Sequence, residues 1–134
     1  EDWAIVPYII LSAKSVVSIN YYGYNYVQSN NSITRNNSNE KIYKRAMDML
    51  DNYDNLCTKI GKINLNKETI ENYHIYASNC LILKLEELPK EYQKEYIKQI
   101  RNRKIEKNIK IRNFKQLIKR VILKINIKLY LKLR

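Results

Sequence analysis

Apolar residues return every three to four positions along most of this chain, which is the period of helices packed on one face. From Trp3 to Lys14 the residues Ile5, Val6, Ile9, Ile10 and Ala13 keep that spacing. Asp2 is placed to cap such a helix, and Pro7 is tolerable only near its first turn. The period then changes. Val16-Val17-Ser18-Ile19-Asn20 and the run from Tyr21 to Val27 are β-branched and aromatic with two-residue character, which predicts one or two short strands. The stretch "QSNNSITRNNSN" is a polar loop.

Beyond Glu40 the helical period takes over. Ile42, Ala46, Met49, Tyr53, Leu56 and Ile60 share one face of a helix that should end at Gly61. A second helix begins near Asn66 or Lys67 and closes at Pro89, and a third runs from Lys90 to about Lys107 with Tyr92, Tyr96, Ile97 and Ile100 inward. From Ile111 to Ile122, Ile111, Phe114, Leu117, Ile118, Val121 and Ile122 fall on one side, with Arg112, Lys115, Lys119 and Arg120 mostly around the other. The last dozen residues alternate like a strand, but Leu and Lys favour helices, and we read helix. The expected fold is mainly α with a small β element.

Charge location adds more than charge total. Residues 1–100 carry 12 Lys and Arg against 12 Asp and Glu, whereas residues 101–134 carry 13 against the single Glu106, so the whole net charge of +12 lies in the last quarter. A bias in base composition enriches lysine but does not remove glutamate, and such a block usually faces an anionic surface or polymer. With 134 residues and 45% hydrophobic content, one modest core is the expectation, as one domain or a piece of one. The opening at Glu1-Asp2 lacks the basic region of a secretory signal, and no apolar run approaches the roughly 20 residues that span a bilayer. Cys57 and Cys80 show no CxxC spacing and are expected as buried thiols in a reduced compartment.

Signatures of nucleophilic or metal chemistry are absent from the sequence: no P-loop, no HExxH, no GxSxG, and one histidine, His74, inside a helix beside Tyr73 and Tyr76. We read His74 as a packed or half-exposed residue. The remaining acid–base candidate is the carboxylate pair Glu1-Asp2, since deprotonating a sugar hydroxyl needs a carboxylate in a walled-off cleft. The competing reading of the pair is an acidic helix cap.

Taken in order, "EDWAIVPYIILSAKSVVSIN" followed by "YYGYNYVQSNNSITR" resembles the end of the catalytic domain of bacterial family 2 glycosyltransferases. That family pattern is an ED pair, an apolar helix, a "K-x-V-x-x-I" strand, and a "Y-x-Y" strand running into a polar "S-I-T" loop. The resemblance covers about residues 1–40. It implies the C-terminal edge of a GT-A α/β domain over residues 1–39, a helical extension over 40–110, and a basic amphipathic tail over 111–134. The implied activity is inverting transfer of a sugar from a nucleotide-sugar donor to an acceptor hydroxyl in surface glycan synthesis. Asp2 matches the catalytic base and Glu1 the preceding acid, which helps orient the acceptor. Trp3 matches the acceptor side, where an indole can stack on a sugar ring; a wedge in the domain core is the alternative. Ser32, Thr34 and Arg35 match a loop that closes over the donor diphosphate, with Arg35 alternatively an ordinary solvated arginine. Tyr22, Tyr24 and Tyr26 fit the core and rim of a sheet, and Gln28 stands where many relatives carry Arg or His.

The family's nucleotide-binding strands and metal-binding DxD precede the ED pair. The resemblance therefore implies a C-terminal part of a longer enzyme, inactive alone, whose divalent metal (Mg or Mn) is held by residues outside this sequence. For the basic tail we expect peripheral contact with an anionic membrane surface at the cytoplasmic inner face, near a glycan or lipid-linked acceptor, and no nucleic acid. The alternative is a non-catalytic helical module whose basic C-terminus binds nucleic acid or an acidic partner.

Overall fold

In the computed structural model, residues 2–21, 38–109 and 114–132 are described. Six helices follow in order: α1 (Asp2–Ser12), α2 (Asn39–Ile60), α3 (Lys67–Glu87), α4 (Lys90–Asn102), α5 (Phe114–Ile125) and α6 (Ile127–Lys132), with a 3-10 turn at Ile105–Asn108 between α4 and α5. The mainly α expectation holds.

Local chemistry sets the ends of α2 and α3. The Ser38 hydroxyl accepts from the Lys41 amide at 3.4 Å, and Asn66 Oδ1 accepts from the Thr69 amide at 2.8 Å. Each cap satisfies one of the donors that a helix start leaves free. Helix α2 stops at Gly61, whose amide donates to Cys57 O. Pro89 follows α3 and opens α4, because the residue before a proline is pushed out of helical geometry.

Helices α2, α3 and α4 pack together around Ala46, Leu50, Leu56, Ala77, Leu81, Leu85, Tyr96 and Ile100, all buried. The Tyr96 hydroxyl, carried into this apolar centre, donates to Leu81 O at 2.9 Å, which removes the cost of an unpaired polar group. Tyr43 of α2 stacks on Tyr92 of α4 with ring centroids 4.5 Å apart.

Three expectations are corrected. Residues 16–20 form no strand, and none occurs among the described residues; β-branched residues make a strand only where a neighbouring strand pairs with them. The expected strand from Tyr21 to Val27 lies, beyond Tyr21, outside the described residues. Pro7 sits in the middle of α1 rather than near its first turn. It forfeits one backbone hydrogen bond, and it lies on the half-buried stripe Trp3–Pro7–Leu11 turned toward α2, where packing offsets that loss.

Helix α4 ends five residues before Lys107. Lys104 adopts a left-handed backbone with φ 55°, and the chain turns there so that Ile105 enters the core. Of the apolar side read over Ile111–Ile122, Leu117, Ile118 and Val121 are exposed and Ile122 packs partly buried on the core, while Leu123, Ile127 and Tyr130 are buried in it. Both faces of this segment are apolar, so periodicity alone cannot choose between them. The final residues are helical through Lys132, as read.

Candidate functional site

The residues expected to carry transferase chemistry fall mostly outside the described structure. Glu1, Ser32, Thr34 and Arg35 all lie there, as do Tyr22, Tyr24, Tyr26 and Gln28. Asp2 is the first residue of α1. Trp3 is half-buried and packs against the hydrophobic core together with Leu11. Helix α1 therefore lies on α2 along one side, where Lys59 of α2 stands 5.6 Å from the centre of the Tyr8 ring.

The opposite side of α1 is apolar and open. Ile5, Val6, Ile9 and Ile10 are exposed, and the segment without regular structure that follows exposes Val16, Val17, Ile19 and Tyr21, with Val17 at 79%. Scattered apolar residues on a surface are ordinary, but a contiguous set of large ones marks a contact surface.

A second constellation joins residues that sequence reasoning left apart. Tyr53 of α2 and His74 of α3 are hydrogen-bonded, Tyr53 Oη to His74 Nδ1, at 2.8 Å, and Cys57 Sγ lies 3.9 Å from the same nitrogen. From the end of the 3-10 turn, Asn108 Nδ2 donates to Tyr53 Oη at 3.0 Å and to Ser78 Oγ at 2.9 Å. Tyr53 accepting from Asn108 leaves its own proton for His74, so Nδ1 is the acceptor and Nε2 carries the imidazole proton.

Burial is the main influence on each of these groups. It lowers the His74 pKa and raises those of Cys57 and Tyr53. A nucleophilic cysteine needs its thiolate favoured, and here burial works in the opposite direction. The cluster thus ties three elements together and holds a neutral imidazole; it is not an activated nucleophile. Its only trace in the sequence is the placement of His74 within a helix beside tyrosines. The partner Asn108 is 34 residues further along and has no signature at all.

Arg103 was likewise not legible. Its guanidinium bonds Asp54 Oδ2 at 2.7 Å, Asp51 Oδ1 at 2.8 Å and the Gln99 side chain, fastening the end of α4 to α2. This cation of the basic block therefore serves the fold. Arg101 reaches the other way, donating to the carbonyls of Lys124 and Ile125 at the end of α5.

Cys57 and Cys80 are free and half-buried rather than fully buried. Among the described residues, no group of three or more His, Cys, Asp or Glu side chains is gathered that could hold a metal, and no helix is long and apolar enough to cross a membrane. Compared with protein-family models, with curated proteins and with solved structures, the chain finds no match.

Proposed function

We propose that this chain is the C-terminal part of an inverting family 2 glycosyltransferase of the GT-A type, acting at the cytoplasmic face of the membrane. The supporting observation is the run from α1 into the segment after it. An apolar helix opens at Asp2, packs one stripe on α2 and leaves the other uncovered, and a segment without regular structure follows with Val16, Val17, Ile19 and Tyr21 exposed. Apolar surface is left open in this way when the elements that cover it belong to the rest of a catalytic domain. The order of elements also follows the "ED", apolar helix, "K-x-V-x-x-I" pattern.

In this reading the Asp2 carboxylate takes the proton of the acceptor hydroxyl as that oxygen attacks the anomeric carbon. The nucleoside diphosphate then leaves from the opposite side, inverting the configuration. A base must be ionised to do this, and the first residue of a helix is where an anion is favoured by the backbone dipoles. Glu1 and Trp3 bind the acceptor, and Ser32, Thr34 and Arg35 close on the donor, the guanidinium suiting diphosphate oxygens. A divalent cation, Mg or Mn, supplies charge neutralisation at that diphosphate when bound, and its ligands are assigned to the remainder of the enzyme.

Two observations test the reading. The coding sequence upstream of Glu1 is expected to encode a DxD motif and nucleotide-binding strands; a start codon adjoining Glu1 overturns the proposal. In the full-length enzyme, Asp2→Asn is expected to lower sugar transfer by about 10²- to 10⁴-fold, the range for losing a general base. Undiminished transfer, or sugar transfer by the 134-residue chain alone, counts equally against it.

A further inference from the structure

Helices α5 and α6 carry two apolar stripes on opposite sides. The inner one, Leu123, Ile127 and Tyr130, is buried in the core. The outer one is Leu117, Ile118, Val121, Ile125 and Leu129, every member exposed and Ile125 at 74%. At about 100° per residue, the four on α5 fall within one arc facing away from Leu123, and Leu129 is exposed on α6 beyond the break at Asn126. Lys124 borders that arc on α5, Lys128 and Lys132 of α6 stand among the same apolar residues, and all three are exposed. No acidic residue occurs between Lys107 and Arg134.

A helix already anchored by one apolar stripe gains nothing in water from a second. An outer face of branched aliphatics interspersed with lysines suits a bilayer interface: the apolar side chains enter the acyl boundary while the lysine stems let their ammonium groups reach lipid phosphates. Duplex nucleic acid offers the phosphates but nothing to cover five large aliphatic side chains. The charge of this quarter of the chain and its outer apolar stripe are thus both matched by one surface.

We propose that the outer face of α5 and α6 is a membrane-binding surface, lying in the plane of an anionic bilayer with Lys124, Lys128 and Lys132 at the headgroups. The transferase reading enters only in naming that bilayer as the inner face of the membrane; the contact itself needs no catalytic domain.

Vesicle co-sedimentation of the 134-residue chain tests this directly, comparing phosphatidylcholine alone with phosphatidylcholine mixed with phosphatidylglycerol. Sedimentation with the mixed vesicles and not with the neutral ones is expected. Lys124→Gln with Lys128→Gln should lower partitioning about thirtyfold, from about 1 kcal/mol per lysine at an anionic surface. In a Trp3→Phe background, the indole introduced by Ile125→Trp should shift its emission to the blue when mixed vesicles are added. Val121→Ser with Ile125→Ser should weaken binding at unchanged far-ultraviolet circular dichroism. Equal association with both vesicle types, or no spectral shift on binding, overturns the proposal. Salt-sensitive binding to duplex DNA without vesicle binding overturns it too. Because sugar transfer is not the readout, loss of either proposal leaves the other standing.

Discussion

The bundle of α2, α3 and α4 and the two flanking pieces, α1 and α5–α6, are built from the same apolar residue types but end in different states. In the bundle, Leu50, Leu56, Leu81, Leu85 and Ile100 are buried, and of the polar groups carried inward Tyr96 Oη and Ser78 Oγ have partners while Tyr73 Oη has none. In the flanking pieces one stripe joins that core, through Trp3 and Leu11 or through Leu123, Ile127 and Tyr130, while a second stripe of comparable size faces outward. A self-sufficient domain arranges its helices as the bundle does. Helices apolar on two sides are made to be covered twice, once by their own domain and once by something else.

Substitution can break that contrast. Leu50→Ala should cost about 3 kcal/mol through the cavity it leaves, whereas Val121→Ala, on the open stripe, should change stability by less than about 0.5 kcal/mol. Urea unfolding of the two variants side by side measures the difference. Equal losses would mean that α5 is covered within the folded chain.

Arg103→Ala comes next. It removes hydrogen bonds from one half-buried guanidinium to two carboxylates on α2, and a loss of about 2 kcal/mol is expected after allowing for the solvent exposure of both aspartates. Lys98→Ala, whose ion pair with Glu95 is exposed and 3.9 Å long, should have no measurable effect. The pair of variants compares a half-buried cation held by two carboxylates with an exposed one in a long ion pair.

A smaller effect sharpens the picture of the Tyr53–His74 cluster. Burial lowers the His74 pKa below its usual 6.5, so the unfolded chain binds the proton more readily than the folded one. Stability from this group is complete above about pH 6.5 and falls as the pH drops below that value, levelling off below the folded-state pKa. Denaturant midpoints measured from pH 7.5 to 5 should show the decline, and His74→Asn should flatten it.

The smallest expected effects concern two backbone positions. Gly61 ends α2 with ordinary helical dihedrals, φ −60° and ψ −13°, and an added Cβ would meet Cys57 O at 3.6 Å, ordinary contact. Gly61→Ala should therefore be neutral or stabilising by up to about 1 kcal/mol. Lys104, at φ 55°, bears the left-handed strain that glycine avoids, and Lys104→Gly should stabilise by about 0.5–1 kcal/mol. Thermal melts of both variants check whether the conformational demand lies at Lys104 and not at Gly61.

Most helix bounds in the bundle were legible because the information is local: α3 starts at Asn66–Lys67, and Gly61 and Pro89 end runs of consistent period, whereas the Ser38 cap lay within a stretch read as loop. Two other features were not. The early end of α4 depends on Ile105 finding a place in the core and on Arg103 meeting Asp51 and Asp54 about fifty residues earlier. The Tyr53, His74, Ser78 and Asn108 cluster depends on three elements converging, and no spacing in the sequence encodes that.

By itself the sequence determined the helical class, the end of α2 at Gly61, the start of α3 near Asn66 and its close at Pro89, and the concentration of positive charge in the last quarter, since each depends on near neighbours or on composition. It also supplied the ordered motifs on which the transferase reading stands. Tertiary structure decided which of two apolar faces on α5 is covered, that residues 16–20 pair with no strand among the described residues, and that Arg103 of the basic block serves the fold. The physical reason is common to all three: periodicity records that a face is apolar, and only the arrangement of distant elements determines what meets it.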